Sequence, residues 1–257
     1  MTYTWDLNPI ALSLMGLEIR WYGLVYVIGF FIALHLGWVY WQKLKIGSDK
    51  KIFENFVFST FIAGIIGGRL GLFLFYSPET ILTDPLELLR VWNGGMSIHG
   101  GILGATLWGL WQCRKNNWNP LRVADIFMLP LAISLMLGRL ANFVNGELHG
   151  RITDQTWGVI FPHVDDLLRH PSQLYEAGKN LIIATVIYAV IKKGGFKFPG
   201  LLTAIMLIGY GVMRFMIEYV REPERYIGPL TTGQVLCVVM ATIGASIIVR
   251  IILISKR

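Results

Sequence analysis

Apolar residues gather in seven runs, at about Tyr22–Trp41, Phe53–Tyr76, Ile98–Cys113, Ile126–Val144, Leu174–Ile191, Gly200–Tyr219 and Val235–Ile254. A helix that crosses a bilayer needs about 20 predominantly apolar residues, and the runs are close to that length. The third is the shortest and is rich in glycine, so its start is the least defined boundary. The pattern predicts an all-α, polytopic membrane protein: seven transmembrane helices forming a single integral membrane domain over residues 1–257.

The polar connections alternate in charge. Lys43, Lys45, Lys50 and Lys51 follow the first run, Arg114, Lys115 and Arg122 the third, Lys192, Lys193 and Lys197 the fifth, and Lys256 and Arg257 the seventh. The intervening connections lean acidic, with Glu79, Asp84 and Glu87 in one and Glu147, Asp154, Asp165 and Asp166 in another. Basic loops stay on the cytoplasmic side, which predicts an outer N-terminus and a cytoplasmic C-terminus. The longest outer connection, about residues 145–172, contains His149, Trp157, Phe161, His163, His170 and Pro171. Such aromatic content fits a folded, interfacial periplasmic cap better than a loose linker.

Composition agrees with this pattern. Hydrophobic residues make up 54% of the 257 positions and charged residues 15%, against an apolar share of about 45–50% in soluble domains. The net charge of +7 lies in short loops between apolar runs, so it reads as membrane topology and not as a nucleic-acid surface. Met1 to Ile10 carries Asp6 and no basic residue, unlike a cleaved signal peptide. Cys113 and Cys237 show no metal-ligand spacing.

Candidate chemistry concentrates where polar residues interrupt the apolar runs. The fourth run leaves the membrane through Gly138-Arg139-Leu140-Ala141-Asn142-Phe143-Val144-Asn145-Gly146-Glu147-Leu148-His149-Gly150. An arginine at the bilayer centre costs about 2.5–3.5 kcal/mol, so Arg139 either pairs internally or holds an anion. In the sixth run Tyr210, Arg214, Glu218 and Arg221 recur at spacings of four, four and three. That places them on one helical face. Arginines and glutamates converging near the outer surface describe a phosphate site with part of its charge offset. The third run opens with Gly94-Gly95-Met96-Ser97-Ile98-His99-Gly100-Gly101. There glycines admit a close neighbour, and His99 is a candidate general base. Gly67-Gly68-Arg69 in the second run echoes Gly138-Arg139 and is read as coincidence or a local packing need, not as an inverted repeat. His170 and Glu176, at the entry to the fifth run, are open to a binding or a capping role.

No nucleophile elbow, His-Glu-x-x-His, P-loop or Cys-x-x-Cys is present in the sequence. An enzyme built this way takes its nucleophile from a substrate, and neither a metal nor a cofactor is expected. An anion or lipid-headgroup transporter or channel could use membrane arginines too, but it needs a polar path to the cytoplasm. The inner halves of the third, fifth and seventh runs are almost wholly apolar. A packing scaffold gives no reason for Arg139, Arg214 and His99 together.

The stretch Gly138-Arg-x-x-Asn-Phe-x-Asn-x-Glu-x-x-Gly150 closely resembles the defining motif of bacterial phosphatidylglycerol–prolipoprotein diacylglyceryl transferases. The resemblance covers nearly the whole chain, through Arg20-Trp21-Tyr22-Gly23, Gly68-Arg69, Arg90-Val91-Trp92-x-Gly-Gly-Met-Ser-x-His99-Gly-Gly, His170-Pro-Ser-Gln-Leu-Tyr-Glu176 and Tyr210-x-x-x-Arg214-x-x-x-Glu218-x-x-Arg221. It implies a multi-pass enzyme of the bacterial inner membrane. Its substrates would be phosphatidylglycerol and a prolipoprotein signal peptide with a lipobox cysteine, and no nucleic acid would take part. It further implies catalytic roles for His99, Arg139 and Arg214. Phosphatidylglycerol would lie against Arg139, Asn142, Asn145, Glu147, Gly150 and Tyr22, with Tyr210, Glu218, Arg221 and Arg69 in support.

Overall fold

The computed structural model describes residues 3–14, 17–90, 94–223 and 225–255. Val91, Trp92, Lys256 and Arg257, which enter the sequence reading, lie outside the described residues. Helices dominate: α1 (Trp21–Lys43), α2 (Lys50–Tyr76), the short α3 (Pro78–Thr83), α4 (Ile98–Lys115), α5 (Pro120–Val144), α6 (Ser172–Lys192), α7 (Leu201–Ile217) and α8 (Thr232–Ser255). Each of the seven apolar runs is largely helical; most of the helices extend past their run through polar residues at one or both ends, whereas α7 stops short of its run's end. Asp49 caps α2 by accepting from Lys51 N at 2.8 Å. Asn119 accepts from Leu121 N and Arg122 N at 3.0 and 3.2 Å ahead of α5.

Six of these helices, α1, α2, α5, α6, α7 and α8, are long and apolar enough to cross a membrane. The fourth is not among them. Its eighteen residues include His99, Gln112, Arg114 and Lys115, and four glycines dilute the remainder. The fold is therefore polytopic and helical with six candidate spans, where seven were expected. Short strands decorate the helices: β1 (Tyr3–Thr4), β2 (Ile10–Leu14), β3 (Leu17–Arg20), β4 (Val159–Ile160), β5 (Leu168–Arg169), β6 (Tyr226–Ile227) and β7 (Leu230–Thr231). β4 pairs parallel with β1 and antiparallel with β5, while β2–β3 and β6–β7 are hairpins. Pieces this short give no readable alternation in sequence.

The chain forms two compact units, one from residues up to Gly37 and from Ala124 onward, the other from Trp38–Val123. In the second unit α2 and α4 meet along glycines. A Cβ on Gly67 would lie 2.5 Å from Gly100 O and 2.9 Å from Gly104 Cα, and one on Gly71 would lie 2.7 Å from Gly100 Cα. Only glycine permits that backbone approach. Ser97 caps α4, its Oγ accepting from Gly100 N at 3.3 Å, and its own N–H donates to Gly68 O at 2.9 Å. The start of α4 is thus tied directly to α2. At the other end of the unit, buried Trp41 packs edge-on against Trp118 and beside Phe53, at centroid distances of 4.7 and 5.3 Å.

In the first unit α7 lies between α6 and α8. A Cβ on Gly211 would come 2.7 Å from Cys237 O, so α7 and α8 also touch through backbone. Asp125, buried in α5, caps α7 from a distance: its carboxylate accepts from Gly200 N at 2.7 Å and from Thr203 N and Oγ1 at 2.8 and 2.7 Å. It satisfies amide groups that the start of a helix leaves unpaired.

Candidate active site

Glu176 lies in the first turns of α6 with no exposed side-chain surface, and four cations surround it. Its Oε1 faces Arg221 Nη1 at 3.0 Å and Arg214 Nε at 3.4 Å. Its Oε2 faces Lys179 Nζ at 3.2 Å and Arg139 Nε at 3.3 Å. A second carboxylate, Glu218, pairs with Arg214 through Nη1. Glu218 also accepts from Thr231 Oγ1 at 2.8 Å. A Cβ on Gly233 would fall 2.7 Å from Glu218 Oε1, which explains a glycine at the start of α8. Four cations and two carboxylates leave a formal charge of +2. Arg139 keeps the most exposed side chain of the group, at 20%.

The sequence fits this arrangement helix by helix. Gln173, Glu176 and Asn180 recur at spacings of three and four on α6 and are fully buried, and Lys179 beside them is 2% exposed. Tyr210 and Arg214 share a face of α7, which tightens into a 3₁₀ turn at Glu218–Val220 before Arg221. The Tyr210 ring lies 3.5 Å below Lys179 Nζ, so the buried ammonium is held by a carboxylate on one side and a π face on the other.

Asn142 and Asn145 converge on a third carboxylate. Both donate to Glu147 Oε1, at 2.8 and 3.2 Å. The loop that follows is fastened to α6, with Ser172 Oγ donating to Leu148 O at 2.8 Å and Gln173 Nε2 to Glu147 O at 2.7 Å. Gly150 forms a bridge with Arg221, donates to His170 O at 2.8 Å, and has no room for a side chain, since a Cβ would lie 2.8 Å from His170 Cβ. Its contribution is to let the loop backbone press onto Arg221. Arg151 Nε completes that contact by donating to Arg221 O at 2.7 Å. On α1, Tyr22 and Tyr26 share a hydroxyl hydrogen bond of 3.0 Å.

The loop between α5 and α6 is ordered by its own polar contacts. Arg169 Nη2 meets Asp165 Oδ2 at 2.5 Å, and its Nη1 reaches Glu222 at 3.0 Å and Gly150 O at 3.2 Å. That guanidinium holds the Asp165 carboxyl below the usual carboxylate range. Burial lowers the affinity of the His149 and His170 imidazoles for a proton. His163 bonds to Gly146 O at 2.9 Å, and Trp5 Nε1 donates to Phe143 O at 2.8 Å.

Two of the expected residues belong to the other unit. Arg69 is buried and spends its guanidinium on backbone: Glu87 O at 2.6 Å, Arg90 O at 2.8 Å and Gly95 O at 3.2 Å, besides the Glu87 carboxylate at 3.2 Å. Its role is to fold the segment ahead of α4. His99 stands at the exposed first turn of α4.

The structure thus brings Arg139, Tyr210, Arg214, Glu218 and Arg221 together, with Asn142, Asn145, Glu147 and Gly150 in the adjoining loop. The sequence reading missed Lys179 and left Glu176 between binding and capping. The available signal was Gln173, Glu176, Lys179 and Asn180 falling within two turns of an apolar run.

Comparison with known proteins bears on what such a cluster serves. The family model for prolipoprotein diacylglyceryl transferase matches residues 9–250. The chain belongs to the prolipoprotein diacylglyceryl transferase family. A phosphatidylglycerol–prolipoprotein diacylglyceryl transferase of Rickettsia felis is 42% identical over 253 residues, which is 95% of this chain and 96% of the relative. The enzyme of the same name from Legionella pneumophila is 41% identical over 251 residues, with 95% and 96% coverage. Both alignments span Glu176 and its four cations, so the site described here lies within the part of the chain that the transferase family shares.

Proposed function

We propose that this protein, a multi-pass enzyme of the bacterial inner membrane, transfers the diacylglyceryl group of phosphatidylglycerol to the thiol of a prolipoprotein lipobox cysteine. The cysteine sulfur attacks the glyceryl carbon next to the phosphate, the carbon–oxygen bond breaks, and glycerol phosphate leaves with the electron pair. The thiol proton passes to a base. No enzyme nucleophile takes part.

The observation that carries the site assignment is the formal +2 charge around Glu176. Phosphatidylglycerol brings a phosphodiester of charge −1. The departing monoester approaches −2, because its second proton is lost with a pKa of about 6. A +2 site is offset more fully by the leaving group than by the substrate, and such differential stabilisation lowers a barrier. We assign Arg139, the most accessible of the cations, to the lipid phosphate. Arg214 receives the charge that develops on the leaving oxygen, held in place by Glu218 and Glu176. Asn142, Asn145 and Glu147 shape the headgroup position, with Gly150 fixing the loop and Tyr22 lining the lipid side. A guanidinium paired to two carboxylates is a poor proton acceptor, so of the residues that the family resemblance implies we assign His99 as the base for the thiol, whose ordinary pKa is about 8.5.

For topology we propose seven crossings in a single membrane domain, with the N-terminus outside and α4 as the third span. Charge parity supports this. If α4 did not cross, Arg114, Lys115 and Arg122 would fall on the side opposite Lys43, Lys45, Lys50 and Lys51. Cysteine labelling with an impermeant maleimide at Asp84 and at Lys115, which flank α4, checks it, and labelling of both positions from one side would overturn it.

The reaction is tested with purified protein, phosphatidylglycerol vesicles and a lipobox peptide, following thioether product and free glycerol phosphate in equal amounts. A stable, monodisperse sample that releases neither would sink the assignment.

A further inference from the structure

Lys179 is the residue that the reaction scheme leaves unused. Its side chain has no exposed surface, its Nζ sits 3.2 Å from Glu176 Oε2, and the Tyr210 ring lies 3.5 Å beneath it. A buried lysine is retained at a cost, and hydrophobic residues of similar volume would pack against Ile183 and its neighbours on α6 with less desolvation. Packing therefore does not explain the ammonium. Its position does suggest a task. Of the two cations on Oε2, Arg139 is 20% exposed and Lys179 is wholly enclosed. Only Arg139 can turn toward a bound phosphate. When it does, Oε2 keeps a partner only because Lys179 stays.

We propose that Lys179 is a positioning residue for the transferase reaction: it holds Glu176 and Tyr210 in place while Arg139 engages the phosphate, and it supplies the charge that matches the site to the glycerol phosphate dianion. This rests on the reaction assigned above. Without Lys179 the cluster falls from +2 to +1. A phosphodiester of charge −1 is still balanced, but the leaving monoester of charge −2 is not. The loss therefore falls on the transition state and on product, more than on the lipid substrate.

Three measurements test this on the full-length protein: the single-turnover rate at saturating phosphatidylglycerol, the KM for phosphatidylglycerol, and inhibition by added glycerol phosphate. Lys179→Met is expected to slow the single turnover by about tenfold and weaken glycerol phosphate inhibition by a similar factor, with KM changed less than about twofold. Lys179→Gln, which keeps a hydrogen-bond donor but no charge, is expected to behave in the same way and serves if the methionine variant does not fold. Lys193→Met, which removes an exposed charge at the end of α6, controls for net charge and is expected to match the wild type. The proposal is overturned if both Lys179 variants keep wild-type rates, if Lys179→Gln alone restores them, or if KM rises in step with the loss of rate while product inhibition stays unchanged. Failure of the wild-type protein to make thioether would instead strike the reaction assignment.

Discussion

Arg221 Nη1 lies 3.0 Å from Glu176 Oε1, and the carboxylate that receives it has no exposed surface. The contact joins the start of α6 to the residue that ends the α7 segment. Through the Gly150–Arg221 bridge it also joins both to the loop between α5 and α6. One carboxylate thus fixes three parts of the chain that lie far apart in sequence. Opposing charges keep the arrangement intact, so removing either sign should undo it.

Glu176→Ala leaves four cations, two of them buried, around an empty site. Breaking a buried pair by removing one partner costs about 3–5 kcal/mol. The unfolding midpoint in detergent should fall well below that of the wild type, and activity should be lost even in the fraction that folds. Glu176→Gln keeps the shape and an acceptor oxygen and should lose less stability. An unchanged midpoint in the alanine variant would show that the four ion pairs contribute nothing net.

Arg139→Lys keeps the charge but gives up the planar fork that can meet two phosphate oxygens. Turnover is expected to fall by about a hundredfold or more with little change in the unfolding midpoint, since the residue is partly exposed. Near-normal turnover would reduce Arg139 to a helix-packing residue.

The loop between α5 and α6 should loosen as pH falls, in two stages. His149 and His170 hold protons less well in the folded loop than in an open chain, because both are part-buried; Arg169 adds to the effect at His149 and Glu222 opposes it. The open chain therefore takes up protons first, and loop stability is full above about pH 6.5 and declines as pH drops through that value. Asp165 acts lower down. Its folded pKa is depressed by Arg169, so its contribution is present above about pH 4 and is lost as pH falls through the folded value. Hydrogen exchange over residues 145–172, corrected for intrinsic rates, should speed up between pH 7 and 5, and His149→Gln should flatten part of that rise. A flat profile in the wild type would contradict the burial argument.

Gly100→Ala tests the seam that carries His99. The added methyl meets the backbone of Gly67 and, at 2.8 Å, Gly71 Cα, neither of which can step aside as a side chain can. Overpacking of this kind costs about 1–3 kcal/mol, seen as a lower unfolding midpoint with loss of activity. Gly109→Ala, where a Cβ meets nothing within 4 Å, should be neutral on both measures.

Much of this protein can be read along the chain. Apolar runs of span length predict the helices because lipid forces every backbone amide to be satisfied within its own segment. Arg139, Arg214 and Glu218 stand out for the same reason, since a charge in such a run is conspicuous. The resemblance to the transferase family rests on those polar positions in their order. Lys179 and the role of Glu176 escaped because a polar residue near a helix entry looks like a cap until its neighbours are known. The strands escaped because two to five residues are too few to show a period. The span count differs because His99, Gln112, Arg114, Lys115 and four glycines lower the hydropathy of the eighteen-residue α4.

The sequence by itself determined the helical membrane class, the order of the helices and the presence of charged groups that need partners. The partners were decided only in three dimensions. Glu176 sits 37 residues after Arg139, 38 before Arg214 and 45 before Arg221, and no local spacing rule reaches so far. Which charges meet depends on how α5, α6 and α7 pack, and the low dielectric between them makes those meetings strong enough to organise a site.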